Sequence, residues 1–313
     1  MSLIGTSRIF LVMNPSSRSF RSRYVWPAIF EGLKRRGADF DFALTEKHGD
    51  TSDLARRAVR NGFGTVVAVG GDGTINDVLN GLFEPGSEKT SVTFGVLYTG
   101  TSPDFCRNHG IPLDLEAAMD LLVSGRPRLI DVCRISHSLE QGGPEHVRLF
   151  SCCANFGLGA AVARGANTGL RKRFGDLGGT LISLVMSIVR FRPPTMRVRL
   201  DGVEYIYHNM YNLFVGKGRL VASGIKLDLP IEPNDGFMYV VPLAGISRRR
   251  LCSLVPRAYS GTLPRLFKPT FARQVDILEW GEAGEVEYDG DPRGFLPASI
   301  RVLQKSLPLI GPA

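Results

Sequence analysis

The sequence predicts two domains: an α/β N-terminal domain with a Rossmann-like parallel sheet, and a mostly antiparallel β-sandwich C-terminal domain. Up to about residue 131, short apolar strand patterns alternate with amphipathic helix patterns, which is typical of a parallel sheet covered on both faces. Beyond that point, short strand patterns separated by Gly, Pro and Asp-Gly turns dominate, which is typical of a sandwich. We therefore expect domains at 1–131 and 132–304, with 305–313 as a C-terminal tail that could return to the first domain.

The first domain is expected to alternate strands and helices. In chain order they are strand 8–14, a helix from Pro27 to a stop at Gly37, strand 39–44, helix 49–62, strand 65–69, a helix starting near Thr74, and strand 93–98. Asp50 or Ser52 is the expected N-cap of the second helix. Because ligands bind beyond the carboxyl ends of the strands in such sheets, the loops after strands 8–14 and 65–69 should share one edge.

The second domain is expected to consist mainly of short strands, and the change in pattern falls between Pro127 and Arg134. The predicted strands are 147–156, 196–200, 203–208, 211–216, 237–241, 275–280, 285–290 and 298–303, with helices at roughly 180–191 and 247–258.

Composition favours a cytoplasmic protein with an anionic partner. The net charge of +8 suits a nucleotide, a nucleic acid or an acidic lipid surface, but the chain has no recognised nucleic-acid motif, so no nucleic acid is expected. Five cysteines without CxxC spacing indicate neither a disulfide framework nor a zinc site. The N-terminus does not resemble a signal peptide, and the longest later apolar stretch, 179–189, falls short of the roughly 20 residues that span a bilayer.

The segment AVGGDGTINDVLNGL (68–82) is the strongest local signal for a binding site. Gly70, Gly71 and Gly73 let a ligand approach the backbone, and the following helix directs N–H groups and a positive dipole at it, which suits phosphate. The chain has no Walker P-loop pattern. Asp72 would lie too close to polyphosphate without a cation, so we expect it to engage Mg²⁺ or to hold the nucleotide and the reactive hydroxyl in register. The alternative is that the glycines only form the turn and an acidic side chain caps a helix.

Six segments in order resemble the diacylglycerol kinase catalytic family, which includes bacterial lipid kinases, sphingosine kinases and ceramide kinases. The matching segments are VMNPSSR (12–18), VVAVGGDGTINDVLNGL (66–82), GVLYTGTSPDFCRNHGIP (95–112), RLIDVCRI (128–135), SGIKLDLPIEPNDGFMYVV (223–241) and VEYDGDPRG (286–294). NAD kinases share GGDGT and the two-domain plan. The continuation from Asn76 to Leu82, however, is similar to the lipid-kinase form.

The resemblance implies a lipid kinase that uses ATP and Mg²⁺ and phosphorylates a lipid hydroxyl in a cleft between a nucleotide-binding first domain and a lipid-substrate second domain. The implied nucleotide-binding residues are Asn14, Pro15, Ser16, Ser17, Arg18, Thr45, Gly70, Gly71, Asp72, Gly73, Thr74, Asn76, Gly100, Thr101 and Asp104. The implied metal ligands are Asp72, Asp104 and Asp131. Asp291, where the family has Glu, is the implied general base, with Asp289 as second candidate and Asp72 as the further catalytic residue. A plain Asp-Gly hairpin turn is the alternative interpretation of that segment.

One segment departs from the family pattern. The family's Gly-Thr-Gly-Asn-Asp is replaced here by GTSPD (100–104), and the preceding Pro by Tyr98. Pro103 removes a backbone donor and the amide side chain of the usual Asn. This leaves open an altered nucleotide preference, an unusual acceptor or reduced activity. The alternatives to a lipid kinase are therefore an NAD kinase-like or other soluble-substrate kinase, and a non-catalytic protein that binds lipid or nucleotide.

The segment 170–194 bears on where the substrate is met. Its apolar stripe consists of Leu181, Leu184, Val185 and Ile188. One interpretation is a plain core helix. The other is that the basic residues around the stripe, together with Arg248–Arg250, contact anionic lipid headgroups, so that the protein attaches peripherally to the membrane that holds its lipid substrate. The sequence leaves a homodimer open.

Overall fold

The structure is a computed structural model, and it describes residues 8–312 except 18–20, 48, 166–183, 185, 222–223, 261–266 and 282–283. Contacts divide the chain into two units, Met1–Val132 with Leu303–Ala313, and Cys133–Val302. The roles that the sequence assigns to two domains stay predictions, because this division concerns contacts and not function.

The first unit contains a parallel sheet with helices packed against it. Its elements are β1 Ile9–Met13, a 3₁₀ helix Arg21–Val25, α1 Trp26–Arg35, β2 Phe40–Leu44, α2 Asp50–Arg60, β3 Thr65–Gly70, α3 Asp72–Leu82, β4 Thr93–Tyr98, α4 Asp104–His109 and α5 Leu115–Ser124. The strand order is β2-β1-β3-β4, all parallel. All six residues of β3 are buried, as expected for a strand in the middle of a sheet covered on both faces. The predicted parallel α/β sheet is thus confirmed.

The starts of two helices in this unit differ from the sequence prediction. Helix α2 follows Gly49, and neither predicted cap acts as one: the Asp50 carboxylate accepts N–H bonds from the preceding loop, and the Ser52 hydroxyl donates to the Asp77 carbonyl. Helix α3 begins at Asp72 rather than near Thr74, because Gly71 adopts extended backbone and becomes the N-cap. The first-turn N–H groups of α3 therefore lie directly after the two glycines.

The second unit is mostly antiparallel. Its elements, some of which extend into the first unit, are β5 Arg126–Ser138, β6 Glu145–Phe150, β7 Cys153–Gly157, α6 Leu158–Gly165, β8 Met196–Leu200, β9 Val203–Tyr207, β10 Met210–Gly216, β11 Leu220–Val221, β12 Ile225–Lys226, β13 Met238–Ala244, α7 Arg248–Ser260, β14 Thr270–Ala272, β15 Gln274–Trp280, β16 Glu285–Tyr288 and β17 Asp291–Gly311. Strands β14, β13, β10, β7, β16 and β17 follow one another in antiparallel order. The antiparallel prediction for this part of the chain is confirmed.

Three local features of the second unit differ from the prediction. The expected strand 147–156 is two strands, β6 and β7, with a turn at Ser151 and Cys152. Helix α6 was not predicted, because LGAAVARG is short and rich in Gly and Ala and follows a strand without a polar cap. The last strand, expected at 298–303, runs from Asp291 to Gly311; its end belongs to the first unit, as the sequence left open, and Leu309 pairs there in parallel with Phe94 of β4.

The helix predicted at roughly 180–191 is only partly described. Residues 184 and 186–190 are helical, whereas Leu181 and Val185 lie outside the described residues. Ile188 is buried in an apolar core of the second unit, and Leu184 packs against that core. Among the helices that the structure describes, none has both the length and the apolar character needed to cross a bilayer.

Candidate functional site

The loops after β1, β3 and β4 meet at the carboxyl edge of the first unit's sheet. The Asn14 side chain donates from Nδ2 to the Thr74 hydroxyl over 3.0 Å, and its Oδ1 accepts the Ser16 N–H over 2.9 Å. The Ser17 hydroxyl donates to the Thr99 carbonyl over 3.4 Å. A bond between two side chains thus joins the predicted first nucleotide loop to the glycine turn, and a bond from a side chain to a backbone carbonyl joins it to the loop after β4. We define Asn14–Ser17, Gly70–Thr74 and Gly100 as the glycine corner.

Gly71 and Gly100 are where two loops of the glycine corner touch backbone to backbone. A Cβ added at Gly100 would lie 2.5 Å from the Gly71 Cα and 2.6 Å from the Tyr98 hydroxyl oxygen. Real Cβ atoms do not approach other atoms so closely, so any side chain at position 100 would force the loops apart. The contact between the loops therefore requires Gly at position 100, while a Cβ at Gly71 would lie 3.3 Å from the Gly100 Cα.

Asp72 caps a helix, as the alternative interpretation of the glycine turn has it, but the helix is α4 and not the one that Asp72 begins. Its Oδ2 accepts the Asp104 N–H over 3.2 Å, and its Oδ1 accepts the Phe105 N–H over 3.4 Å. Asp104 and Phe105 are the first two residues of α4. The N-cap position of α4 is Pro103, whose side chain has no atom that could accept an N–H bond from the helix. Asp72 thus supplies from α3 the cap that α4 lacks, and it links the glycine turn to the segment that departs from the family pattern.

The three predicted metal ligands lie in different settings. Asp104 is the first residue of α4 and is 9% exposed, whereas Asp131 in β5 is 2% exposed and accepts the Lys305 N–H over 2.8 Å. Within the described residues, no group of three or more His, Cys, Asp or Glu side chains could hold a metal ion. A single centre built from Asp72, Asp104 and Asp131 together is therefore not present, although each carboxylate stays a predicted ligand on its own.

The other predicted nucleotide residues differ in exposure. Thr101 is exposed, while Thr45 is buried and its N–H bonds the Met13 carbonyl over 3.0 Å. Asn76 is 1% exposed inside α3, where its side chain accepts a hydrogen bond from Asn80. Contact of Asn76 with a nucleotide stays a prediction. Arg18 lies outside the described residues.

Two buried acidic groups beside the glycine corner stay protonated. Burial, with a further contribution from the Asp72 carboxylate, raises the pKa of the Tyr98 phenol and of the Cys106 thiol far above their ordinary values. Both groups are therefore neutral at physiological pH.

In the second unit, the segment EVEYDGDPRG forms a β-hairpin. Asp289 and Gly290, with φ of +50° and +91°, make a two-residue turn between β16 and β17, and Tyr288 pairs with Asp291. Positive φ at both positions is typical of a type I′ turn and explains the Asp-Gly pair. The hairpin interpretation of this segment is therefore correct as a description of structure, and catalysis by Asp291 or Asp289 stays a prediction.

Asp289 holds the turn between β6 and β7. Its Oδ1 accepts the N–H groups of Cys152 and Cys153 over 3.0 and 3.3 Å, and its Oδ2 accepts the Ser151 N–H over 3.2 Å. These bonds explain why the predicted strand 147–156 breaks at this point. They also commit both carboxylate oxygens to backbone donors, which favours a structural role for Asp289 over that of a base.

Asp291 has a partly exposed carboxylate that an arginine orients. It is the first residue of β17, and its side chain is 44% exposed. The Arg293 guanidinium forms a 3.0 Å ion pair with the Asp291 carboxylate, and it lies over the Tyr288 ring at 5.6 Å from the centroid. Arg293 therefore fixes the direction of the Asp291 side chain while leaving part of the carboxylate accessible.

Glu287 is a buried carboxyl that sequence reasoning missed. It is 3% exposed, and it accepts the Gly290 N–H over 2.7 Å and an N–H of the Asn155 side chain. Burial raises the pKa of Glu287 to about 8; the two hydrogen bonds oppose this rise, and the nearby charges of Asp289 and Asp291 add to it. One feature of the sequence could have indicated that Glu287 is buried: this acidic residue stands between Val286 and Tyr288 in a short strand.

The raised pKa of Glu287 predicts a pH-dependent stability. Since the folded protein binds this proton more tightly than the unfolded chain, whose Glu has a pKa near 4.5, the stabilisation is complete below that pH and is lost as pH rises towards about 8. We expect the free energy of unfolding to fall between about pH 5 and 8, by at most roughly 1.4 kcal/mol per pH unit. Urea unfolding at several pH values measures this slope. Glu287→Gln should lack this component, and equal slopes in both proteins would contradict the assignment.

Comparisons with known proteins agree with this geometry. A family model of the diacylglycerol kinase catalytic domain matches residues 8–135. A second model, described as the YegS C-terminal NAD kinase beta sandwich-like domain, matches residues 153–311. Together the two matches cover both units, including the glycine corner and the hairpin that carries Asp291.

Similar whole proteins and structures have been found as well. A diacylglycerol kinase of Mycobacterium tuberculosis is 27% identical over 281 residues, covering 90% of this chain and 87% of that protein. A diacylglycerol kinase of Staphylococcus aureus is 24% identical over 308 residues, covering 97% and 92%. A crystal structure of a diacylglycerol kinase from Bacillus anthracis has a TM-score of 0.75 at 19% identity, covering 98% and 97%, which shows a shared fold. Yeast NADH kinase, complexed with NADH, has a TM-score of 0.56 at 10% identity, covering 98% and 83%.

Proposed function

Because the chain belongs to the diacylglycerol kinase catalytic family and is a kinase of lipids, we propose that it transfers the γ-phosphoryl group of ATP to a hydroxyl of a diacylglycerol-like lipid, with Mg²⁺ as cofactor. The observation that carries this proposal is the glycine corner. Three loops and the first turn of α3 converge there at the carboxyl edge of a parallel sheet, which is where such folds bind nucleotides.

The glycine corner suits the phosphates of a nucleotide. Helix α3 begins directly after Gly71, so its first-turn N–H groups and positive dipole end favour an anion. The exposed hydroxyls of Ser16 and Thr101 could add hydrogen bonds to phosphate oxygens. The Asn14–Thr74 hydrogen bond holds the loop against the helix, which reduces the ordering that binding would otherwise require.

The carboxylates of this corner fit Mg²⁺ in the mode it usually adopts with phosphates. Mg²⁺ keeps several waters and needs only one or two carboxylates when phosphate oxygens complete its shell. Asp72 would hold it, because its carboxylate lies on the first residue of α3, beside the first-turn N–H groups that would face the phosphates. Asp104, whose N–H bonds Asp72, is the second candidate. Bound Mg²⁺ neutralises the charge that develops on the phosphoryl oxygens.

Asp291 is our candidate for the general base. The acceptor hydroxyl must lose its proton as it attacks phosphorus, and a carboxylate within roughly 2.6–3.2 Å, or one water further away, can take it. Asp291 is partly exposed and is oriented by Arg293, whereas both oxygens of Asp289 bind backbone N–H groups.

A panel of acceptors tests the proposal. The purified chain is incubated with γ-labelled ATP and Mg²⁺, in separate samples with diacylglycerol, sphingosine or ceramide in mixed vesicles, and with NAD or glycerol in solution. We expect label in the lipid extract with a diacylglycerol-like acceptor. Label on NAD or glycerol would favour a soluble-substrate kinase, an alternative that the fold shared with yeast NADH kinase motivates. The GTSPD segment motivates a third possibility, a non-catalytic protein that binds lipid or nucleotide. The absence of transfer to every acceptor would favour that possibility.

We further propose cytoplasmic, peripheral attachment to an anionic membrane, through a basic surface of the second unit. This surface consists of the exposed residues Arg190, Arg192, Arg248, Arg249 and Arg250. Met186 and Val189, beside Arg190, are 44% and 61% exposed and could enter the headgroup region. Attraction between arginines and anionic headgroups is long-ranged and screened by salt.

Vesicle binding is therefore expected to strengthen with the fraction of anionic lipid and to weaken with salt. Sedimentation with vesicles at rising ionic strength measures this binding. Salt should weaken it, because charges are screened within about 10 Å at 0.1 M ionic strength. The double variant Arg249→Ser/Arg250→Ser should bind more weakly. Its matched control, Arg56→Ser/Arg57→Ser, removes the same charge from α2 in the other unit. Equal binding to neutral and anionic vesicles would remove the electrostatic part of the proposal.

A further inference from the structure

Four hydrogen bonds run through the interior of the second unit and end at the turn that precedes Asp291. The Gly159 N–H, in the first turn of α6, donates to Asn212 Oδ1 over 2.8 Å. Asn212 Nδ2 donates to Asn155 Oδ1 over 3.1 Å, and Asn155 Nδ2 donates to Glu287 Oε2. Glu287 Oε1 accepts the Gly290 N–H over 2.7 Å. We call Asn212, Asn155 and Glu287 the polar relay.

The polar relay is fully buried and closely packed. Asn212, Asn155 and Glu287 are 2%, 3% and 3% exposed, so their mutual bonds replace the bonds that water would make. A Cβ at Gly159 would lie 2.8 Å from the Asn155 Cβ and 2.9 Å from Asn212 Oδ1. The first turn of α6 therefore rests directly on the relay.

The two ends of the relay fix the direction of every bond within it. A backbone N–H can only donate, so the Gly159 end requires the oxygen of the Asn212 amide, and each amide then donates to the next residue. The Gly290 N–H also can only donate, so the residue at position 287 must accept at both of its terminal atoms. The ionised carboxylate of Glu287 does this with both oxygens, whereas a protonated carboxyl or a Gln side chain offers one acceptor and one donor group.

We propose that Glu287 is a positioning residue for the reaction and that the polar relay holds Asp291 in its working orientation. Glu287 anchors the Gly290 N–H on one side of the turn, while Asp289 binds Ser151, Cys152 and Cys153 on the other. The backbone that leads into Asp291 is thereby fixed at both preceding residues. This inference rests on the proposed function, in which Asp291 is the base.

Glu287→Gln tests the relay at nearly constant shape. The amide nitrogen would face the Asn155 NH₂ group or the Gly290 N–H, and one bond would be lost. At a pH above about 8, where Glu287 is ionised, we expect kcat to fall on the order of ten- to a hundredfold, as for a small misplacement of a reacting group, with the KM for ATP changed less than about twofold. The control Glu279→Gln makes the same change at a side chain that is 64% exposed on β15, and it should leave both constants unchanged.

A double variant separates positioning from a chemical role of Glu287 itself. In Glu287→Gln/Asn155→Asp, the amide introduced at position 287 accepts the Gly290 N–H and donates to the carboxylate introduced at position 155. That carboxylate also accepts from Asn212, so every bond of the relay is restored. We expect kcat to recover to within about threefold of the wild type, a loss of at most about 0.65 kcal/mol in transition-state stabilisation. A folded double variant whose kcat is as low as that of Glu287→Gln overturns the proposal. If Glu287→Gln does not fold, the kcat of the double variant relative to the wild type still tests the proposal.

Amide hydrogen exchange of the peptide that contains Gly290 gives a readout independent of activity. Exchange should be faster in Glu287→Gln and return towards the wild-type rate in the double variant. Unchanged exchange in a folded Glu287→Gln overturns the relay. If the wild-type protein transfers phosphate to none of the acceptors, the proposed function is wrong. The exchange result would still decide whether the relay holds the turn. Wild-type activity with a normal kcat in folded Glu287→Gln removes the relay's role and leaves the proposed function intact.

Discussion

Asp72→Asn is expected to lower phosphoryl transfer by roughly 10²–10³-fold, the usual cost of removing one electrostatic group that acts on the transferred charge. The substitution keeps the size of the side chain but removes the negative charge at the start of α3, where we propose that Mg²⁺ and the phosphates bind. Turnover of γ-labelled ATP with diacylglycerol vesicles measures the effect.

The structural role of Asp72 predicts a second, smaller effect of the same substitution. An Asn side chain can accept only one of the Asp104 and Phe105 N–H groups, so α4 loses part of its cap and the free energy of unfolding should fall by about 1 kcal/mol. The matched control is Asp53→Asn in the first turn of α2, where the side chain is 63% exposed. A folded Asp72→Asn protein with wild-type turnover would contradict the proposed role in catalysis.

Asp291→Ala is expected to lower kcat by about 10²–10⁴-fold, the range typical of a lost general base. Nucleotide affinity should change little, because we propose that ATP is held by the glycine corner of the first unit. Single-turnover transfer and equilibrium binding of a fluorescent ATP analogue separate the two quantities. Weakened nucleotide binding with unchanged transfer at saturating ATP would contradict the assignment.

Asp289→Ala serves as the comparison for Asp291→Ala. It removes the carboxylate two residues earlier in the same hairpin, and its expected effect is a loss of stability. Three N–H groups at Ser151, Cys152 and Cys153 would lose their acceptor, so stability should fall by about 1–3 kcal/mol or more. A large loss of melting temperature in Asp289→Ala, beside near-native stability in Asp291→Ala, would separate the structural carboxylate from the proposed base. Glu279→Ala controls for the loss of a surface carboxylate in the same unit.

The elements were largely predictable because their signals are local. The TVVAV run, buried on both faces, and the alternating MRVRL segment each correspond to a strand, and the helix of the glycine turn begins within two residues of its expected start. The Asp-Gly turn was equally recognisable, since positive φ at two adjacent positions restricts which residues can occupy it.

The details of the site were not predictable, because they depend on contacts between residues far apart in the chain. Asp72 caps a helix 32 residues later, and Asp289 holds a turn 138 residues earlier. Neither partner carries a sequence pattern that points to the other. Glu287 was missed for the same reason: its acceptance of the Asn155 side chain depends on strand pairing between β7 and β16.

The central claim is that this chain is a lipid kinase whose chemistry depends on Asp72 and Asp291. The most direct test follows γ-labelled ATP into the lipid extract of diacylglycerol vesicles with Mg²⁺, for the wild type, Asp72→Asn and Asp291→Ala side by side, each first shown to be folded. We expect steady labelling of the lipid by the wild type and at most about 1% of that rate in either variant. Labelling at the wild-type rate by both variants, or no labelling of lipid by the wild type, would contradict the account.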